Sequence, residues 1–419
     1  MADAVRAEVA HLLRRVAFGG TAAEVDAAAA RGYEASVAAL LAAGGADGPA
    51  PPRLPALDRK DGKGRRAQLA ELQVWWLDRM ARGGQPLVER LTLFWHGHWA
   101  TSAQKVKSAA LMLRQNQTLR SLGLGDFREL ARAMVRDPAM LIWLDAGQNR
   151  PASPNENLGR ELMELFTLGI GNYTDDDVKQ AARALTGWRV NRETGAARFV
   201  AGQHDGGTKT VLGHTGAYDD RSLVDLLVDT DASHAYVVHR LWFRLASPTP
   251  PDAATAARLL AAYGPGRDVH ALVRALLLDP AFRAARYTLV AEPIVYAVTA
   301  LRALRIAPAT LPAKDQRALL AGLRGMGQEP FAPPSVGGWP ANRGWLATSA
   351  AQTRIAFARQ LAEHADLAVL AGPNAVDAAA HLLSVEAWSP RTRSVLTEVA
   401  GNPQQLIALA LASPEFVVA

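Results

Sequence analysis

Cysteine is absent from all 419 residues, which excludes disulfides, thiolate nucleophiles and iron–sulfur clusters. No stretch approaches the ~18 charge-free apolar residues of a membrane-spanning helix, so no transmembrane segment is expected. The opening segment, MADAVRAEVAHLLRRVAFGG, reads as an amphipathic helix interrupted by charge and lacks the apolar centre of an export signal. Long runs of β-branched residues are missing. No Gly-x-Ser-x-Gly elbow, no Gly-x-Gly-x-x-Gly after a strand and no His-Glu-x-x-His occurs, which disfavours serine hydrolases, dinucleotide-binding folds and zincins. Aromatics make up only 6% and histidine numbers ten, so a local concentration of either carries information.

Alanine, leucine and arginine dominate. The first two are strong helix formers, and the expected fold is all-α: one compact multi-helix unit over 1–419 with a small inserted β-hairpin at 197–213. ARFVA (197–201) and KTVLG (209–213) are the best strands and are expected to pair with each other. The glycine- and proline-rich stretch around 43–66 is expected to be a flexible loop. Thr21 with Glu24 forms a capping box, and Thr174 caps a helix whose first turn holds three aspartates. Three apolar helices run into Asp137-Pro138, Asp279-Pro280 and Ser413-Pro414, a shared helix-stop device rather than a repeat. The net charge is +6. The only tight basic run, residues 58–66, is mixed with acids and glycines, so a solvated loop accounts for it better than a nucleic-acid patch.

Three segments gather histidines and carboxylates: FWHGHW (94–99), NENLGRELMELFTLG (155–169) and QHDGGTK (203–209). Glu161 and Glu164 stand three apart on a helix, where two carboxylates can approach one ion. His96 and His98 share a face if the chain is extended and diverge by about 200° if it is helical. His204, Asp205 and Lys209 lie in a glycine-rich turn that lacks the spacing of a phosphate loop. The leading expectation is a metal-dependent enzyme, hydrolytic or oxidative. His96, His98, Glu161 and Glu164 would hold a divalent or transition metal ion. His204, Asp205 and Glu161 would do the chemistry, and Arg160, Lys209 and Asn157 would hold an anionic substrate. The alternative is a non-catalytic binding or assembly protein in which the same residues tie helices together.

These segments in this order resemble the bacterial family of proteins with domain of unknown function 1800. HLLRRVAFG (11–19), LTLFWHGHW (91–99), NENLGRELMELFTLG followed by YTDDDVKQAARALTGW (173–188), HDGGTKTVLG (204–213), PPSVGGWP with Trp345, and the terminal SPEF (413–416) carry the resemblance over nearly the whole chain. It implies a mostly helical protein without an assigned activity. It also implies export for many members and a sulfatase-like partner protein. Phe166 stands where many members carry histidine, so that position supplies no ligand here.

Overall fold

The computed structural model describes residues 2–42, 48–55, 61–192 and 194–418. Among these the chain is helical, with 23 α-helices and only two small two-stranded antiparallel sheets. Among the described residues no helix is long and apolar enough to cross a membrane.

Local chemistry sets the helix ends. Thr21 and Thr174 each accept from the backbone N–H three residues on and receive a carboxylate in return. Asp137, Asp279 and Ser413 do more than stop a helix. Each caps a short following helix that has proline in its first turn, where the missing N–H costs nothing. Part of the expected 43–66 loop, residues 43–47 and 56–60, lies outside the described residues. Its last residues are helical: Asp61 caps a helix over Gly62–Arg82. The helix expected over 104–122 is broken at Lys107, in a left-handed conformation, into Ala103–Val106 and Ala109–Leu122. Asn155 caps Glu156–Glu161, which runs on as a π-helical turn over Leu162–Thr167.

The expected pairing of 197–201 with 209–213 does not occur. Trp188–Val190 pairs with Ala197–Phe199, and Lys209–Val211 pairs with His214–Gly216. The second pairing follows from backbone geometry. Leu212 and Gly213 both have positive φ, 50° and 78°. A type I′ two-residue hairpin turn has positive φ at both central positions, so the chain reverses at once.

Two apolar cores fill the molecule. One gathers Trp76, Tyr296, Phe331, Trp339 and the C-terminal helices; the other gathers the N-terminal helix, Trp95, Phe127, Phe166 and Trp242. The Pro86–His98 helix lies between them. Leu93 packs in the first core, and Leu87, Leu91, Phe94 and Trp95 pack in the second. Nearly all of this helix is buried, so any polar side chain on it must find a partner inside the protein.

Candidate functional site: an arginine-lined chamber

The predicted site residues are dispersed. Because Pro86–His98 is helical through both histidines, His96 and His98 point into different cores. His96 is enclosed by Trp76, Phe331 and Trp339, with ring centroids 5.5, 5.4 and 5.3 Å away. Its Nε2 is buried without a hydrogen-bond partner. His98 sits among Phe94, Trp95 and Phe166 and donates from Nε2 to the Phe166 carbonyl oxygen at 2.9 Å. Burial pushes both imidazoles down to about 3; for His98 the nearby Arg240 adds to this.

Glu161 and Glu164 are close to each other and half-buried. Burial, then the Glu164 charge, raises Glu161 above the usual carboxylate range. Glu164 accepts from the Tyr173 hydroxyl. Arg160 pairs with Glu156 at 3.2 Å and Asp175 at 3.0 Å. Asn157 is exposed in the first turn of its helix. The His204–Lys209 loop is closed on itself. Arg183 Nε donates to Asp205 at 2.7 Å, His204 Nδ1 lies 3.1 Å from the Thr186 carbonyl oxygen, and buried Lys209 donates to the carbonyls of Asp205 and Gly207. Lys209 is a clamp on the turn. Among the described residues no three His, Asp or Glu side chains form a group that could hold a metal ion. The set His96, His98, Glu161 and Glu164 is therefore not brought together.

Another constellation is brought together. Arg14 and Arg15 come from the N-terminal helix, Ala2–Val16. Arg90 comes from Pro86–His98, Arg240 and Arg244 from Asp231–Leu245, and Glu292 from the cap of Pro293–Ala303. Arg14, Arg15, Arg90, Arg244 and Glu292 line one small cavity, with about 30 Å³ of free space. Arg240, Arg244, Glu292, Gly97 and Trp339 line a second beside it. The first has room for a small polar group.

The arginines are held from behind by backbone carbonyls. Arg14 donates to the carbonyls of Leu383 and Glu415, and Arg15 to Ala285. Arg90 donates to Arg15, and Arg244 to Trp339 and Pro340. That scaffold needs glycine: Gly338, at φ +80°, lies so close to the Pro86–His98 helix that a Cβ would be 2.3 Å from the Gly97 carbonyl oxygen. The GGWP segment and the His96-Gly97-His98 segment therefore pack backbone to backbone at the chamber wall.

Carbonyls orient guanidiniums but do not neutralise them. Arg14, Arg15 and Arg90 are only 8%, 4% and 4% exposed. Among the described residues Glu292 is the only carboxylate lining either cavity; its charge acts on Arg90, Arg240 and Arg244, and Arg14 and Arg15 line the first cavity with it. Its Oε1 is 3.5 Å from Arg244 and 3.8 Å from Arg90, long for charge-assisted hydrogen bonds, which run about 2.7–2.9 Å. Nε and Nη1 of Arg15, Nε of Arg14 and Nε of Arg240 are buried without a partner. Burial, with Arg90 and Arg14 adding to it, pushes Arg15 down to about 9; burial pushes Arg14 down to about 10.

A larger groove of about 470 Å³ lies on the other side of Arg14, between the N-terminal helix and Ala375–Leu382. Its other arginines are already matched: Arg6 with Asp26, Arg286 with Glu386 and Arg393 with Asp377, at 2.7, 3.0 and 2.7 Å. Size favours the groove; unmatched charge favours the chamber, and charge is the better guide to a ligand here.

The residues of the chamber all fall within the stretch matched by one family model. The model of the family described as protein of unknown function (DUF1800) matches residues 11–418. The chain belongs to the DUF1800 family. No curated protein and no solved structure matches it. Three of the segments that carry the DUF1800 resemblance, HLLRRVAFG, LTLFWHGHW and PPSVGGWP, meet at the chamber walls. Sequence reasoning missed the arginines because arginine is abundant and usually exposed. Two signals were present: the Arg240/Arg244 pair four apart on one helix, and a lone Glu89-Arg90 pair in an otherwise apolar helix.

Proposed function

We propose that this DUF1800 protein binds a small oxyanion, phosphate or sulfate in chemistry, in the chamber formed by Arg14, Arg15, Arg90, Arg240 and Arg244. One observation carries the reading. Five arginines line two cavities that share a single carboxylate, and three of them have buried N–H groups with no acceptor. A charge taken out of water without a counter-charge is strongly unfavourable. Guanidinium forks match the geometry of tetrahedral oxyanions. An anion supplies both the charge and the acceptors. The reading is nearer the binding-protein alternative than the metal-dependent enzyme, whose ligand set the described residues do not assemble.

The test is calorimetric titration with inorganic phosphate and with sulfate at low ionic strength. The expected result is one saturable site per chain, weakened at least tenfold in Arg15→Met. A charge-assisted hydrogen bond is worth about 1.5–3 kcal/mol, or roughly 10- to 100-fold. Absence of both heat and thermal stabilisation with either anion would sink the reading.

A further inference from the structure

We infer that the chamber is selective for an oxyanion that still carries a proton, hydrogen phosphate or a protonated phosphate monoester or phosphonate, over sulfate, and that Glu292 is the specificity-determining residue. This rests on the anion-binding reading above and names the class of anion.

A chamber designed only to attract negative charge has no use for a carboxylate at its centre. Glu292 lines both small cavities. Its Oε2 accepts from Gln328 Nε2 at 3.0 Å, and Gln328 is itself fixed because its Oε1 accepts from the Ile294 N–H at 2.9 Å. Oε1 is different: Arg244 reaches it only as a long contact at 3.5 Å and Arg90 stands at 3.8 Å, so a closer donor can still be accommodated. An oxyanion seated among the arginines brings one oxygen towards Oε1. Without a proton between them, two anionic oxygens meet in a water-poor site, and the repulsion is large. With a P–O–H group there, Oε1 accepts a short charge-assisted hydrogen bond and the remaining oxygens face guanidinium N–H groups. Inorganic phosphate keeps at least one P–O–H throughout the neutral range; a monoester keeps its last proton only up to its second pKa of about 6, and sulfate keeps none.

The groups around Glu292 support this assignment. Arg90, Arg244 and Arg240 face it from two helices, and Arg14 and Arg15 lie across the cavity. Burial pushes the Glu292 carboxyl up, but Arg90 and Arg244 outweigh it and hold it below the usual range. It is therefore an acceptor, not a donor, at neutral pH. The two imidazoles that feel the chamber arginines, His11 and His98, are both held down to about 3. Neither changes charge between about pH 6 and pH 8, the window in which a phosphate monoester loses its last proton.

The experiment is calorimetric titration of the full chain with inorganic phosphate and with sodium sulfate at matched ionic strength. At about pH 6.5 phosphate is expected to bind at least tenfold more tightly than sulfate. Raising the pH from about 6 to about 8 is expected to weaken binding of methyl phosphate, a monoester that loses its last P–O–H over that range, while sulfate binding stays flat and inorganic phosphate, which keeps a P–O–H throughout, stays bound. Glu292→Gln, whose amide can donate to either anion, is expected to strengthen sulfate binding and bring the two affinities within about threefold. If that variant does not fold, the wild-type pH profiles decide the matter. Equal affinity for both anions, or tighter sulfate binding, overturns the selectivity and leaves the anion site standing. Binding of neither overturns both.

Discussion

Glu89 and Arg90 are consecutive residues on one buried helix, and they face opposite ways into contrasting surroundings. Glu89 accepts from Arg79 Nε and Arg120 Nε at 2.6 Å each, and from Trp76 Nε1 and Arg120 Nη2 at 3.0 Å each. Every lone pair has a donor at hydrogen-bond distance. Burial pushes the Glu89 carboxyl up, yet Arg120 and Arg79 outweigh it and hold it below the ordinary range. Across the helix, Arg90 has only a carbonyl at 3.1 Å, another at 3.3 Å and a carboxylate at 3.8 Å. One side is a closed ion network at contact distance; the other is an open one, with its only carboxylate at 3.8 Å. A buried charge is therefore not in itself a sign of function. The functional sign is a buried charge whose partners are too few and too far.

Acid gives the largest expected effect and bears on both sides at once. His11, His96 and His98 are all held neutral by burial, His11 also by Arg15, with values near 3. An unfolded imidazole takes up a proton below about pH 6.5 and the native one does not, so native stability falls as pH drops through that range. Between about pH 7.5 and pH 5 the loss is roughly 2 kcal/mol for each of the three. Glu89 and Glu292 have depressed values, and depressed carboxylates keep their contribution until pH falls below the unfolded value of about 4.3. Urea denaturation at the two pH values measures the loss. An unchanged midpoint at pH 5 would show that these imidazoles are hydrated.

Glu89→Ala breaks the closed side. It strands two guanidiniums and an indole N–H, at a cost of about 3–5 kcal/mol. Denaturant melts with and without phosphate should be shifted equally, because those cations are spaced for a side-chain carboxylate. Rescue by phosphate would erase the contrast between the two faces.

Much of this fold was legible in the sequence. Capping boxes at Thr21 and Thr174 and the Asp-Pro and Ser-Pro boundaries are local signals, decided by side chains within three residues of the backbone they satisfy. Strand pairing was not legible. It depended on positive φ at Leu212, a conformation leucine does not advertise. The site was the least legible part. The histidines and carboxylates were conspicuous because they are scarce, but a helix through Gly97 separated the two imidazoles. Lys209 was spent on carbonyls of its own turn. The arginines that do converge come from positions 14 to 244, and only tertiary packing distinguishes them from the others in an arginine-rich chain.

The open side can be probed by removing a charge. In Arg15→Met the Ala285 carbonyl keeps its second donor, the Thr288 hydroxyl at 2.7 Å. No carbonyl is orphaned, and a buried cation with unpartnered N–H groups is replaced by an apolar chain. The stability change without phosphate is expected within about 1 kcal/mol of zero, in either direction, since apolar replacement of buried charge is often neutral or favourable. A loss above about 3 kcal/mol would mean that Arg15 is compensated after all, and would close the chamber as a site.

A last contrast separates the two histidines, with His96→Phe expected to change stability least. His98 donates its Nε2–H to the Phe166 carbonyl; in His98→Phe that carbonyl loses its donor, at about 1–3 kcal/mol. His96 has no hydrogen bond from Nε2 and three aromatic rings around it. In His96→Phe a ring replaces a ring, nothing is orphaned, and an unmet polar atom leaves the core. Stability at neutral pH should stay level or rise by about 1 kcal/mol, and the acid loss should shrink by one imidazole's share. A destabilised His96→Phe would mean that Nε2 does have a partner, and the Trp76, Phe331 and Trp339 enclosure would then need to be read as a polar site.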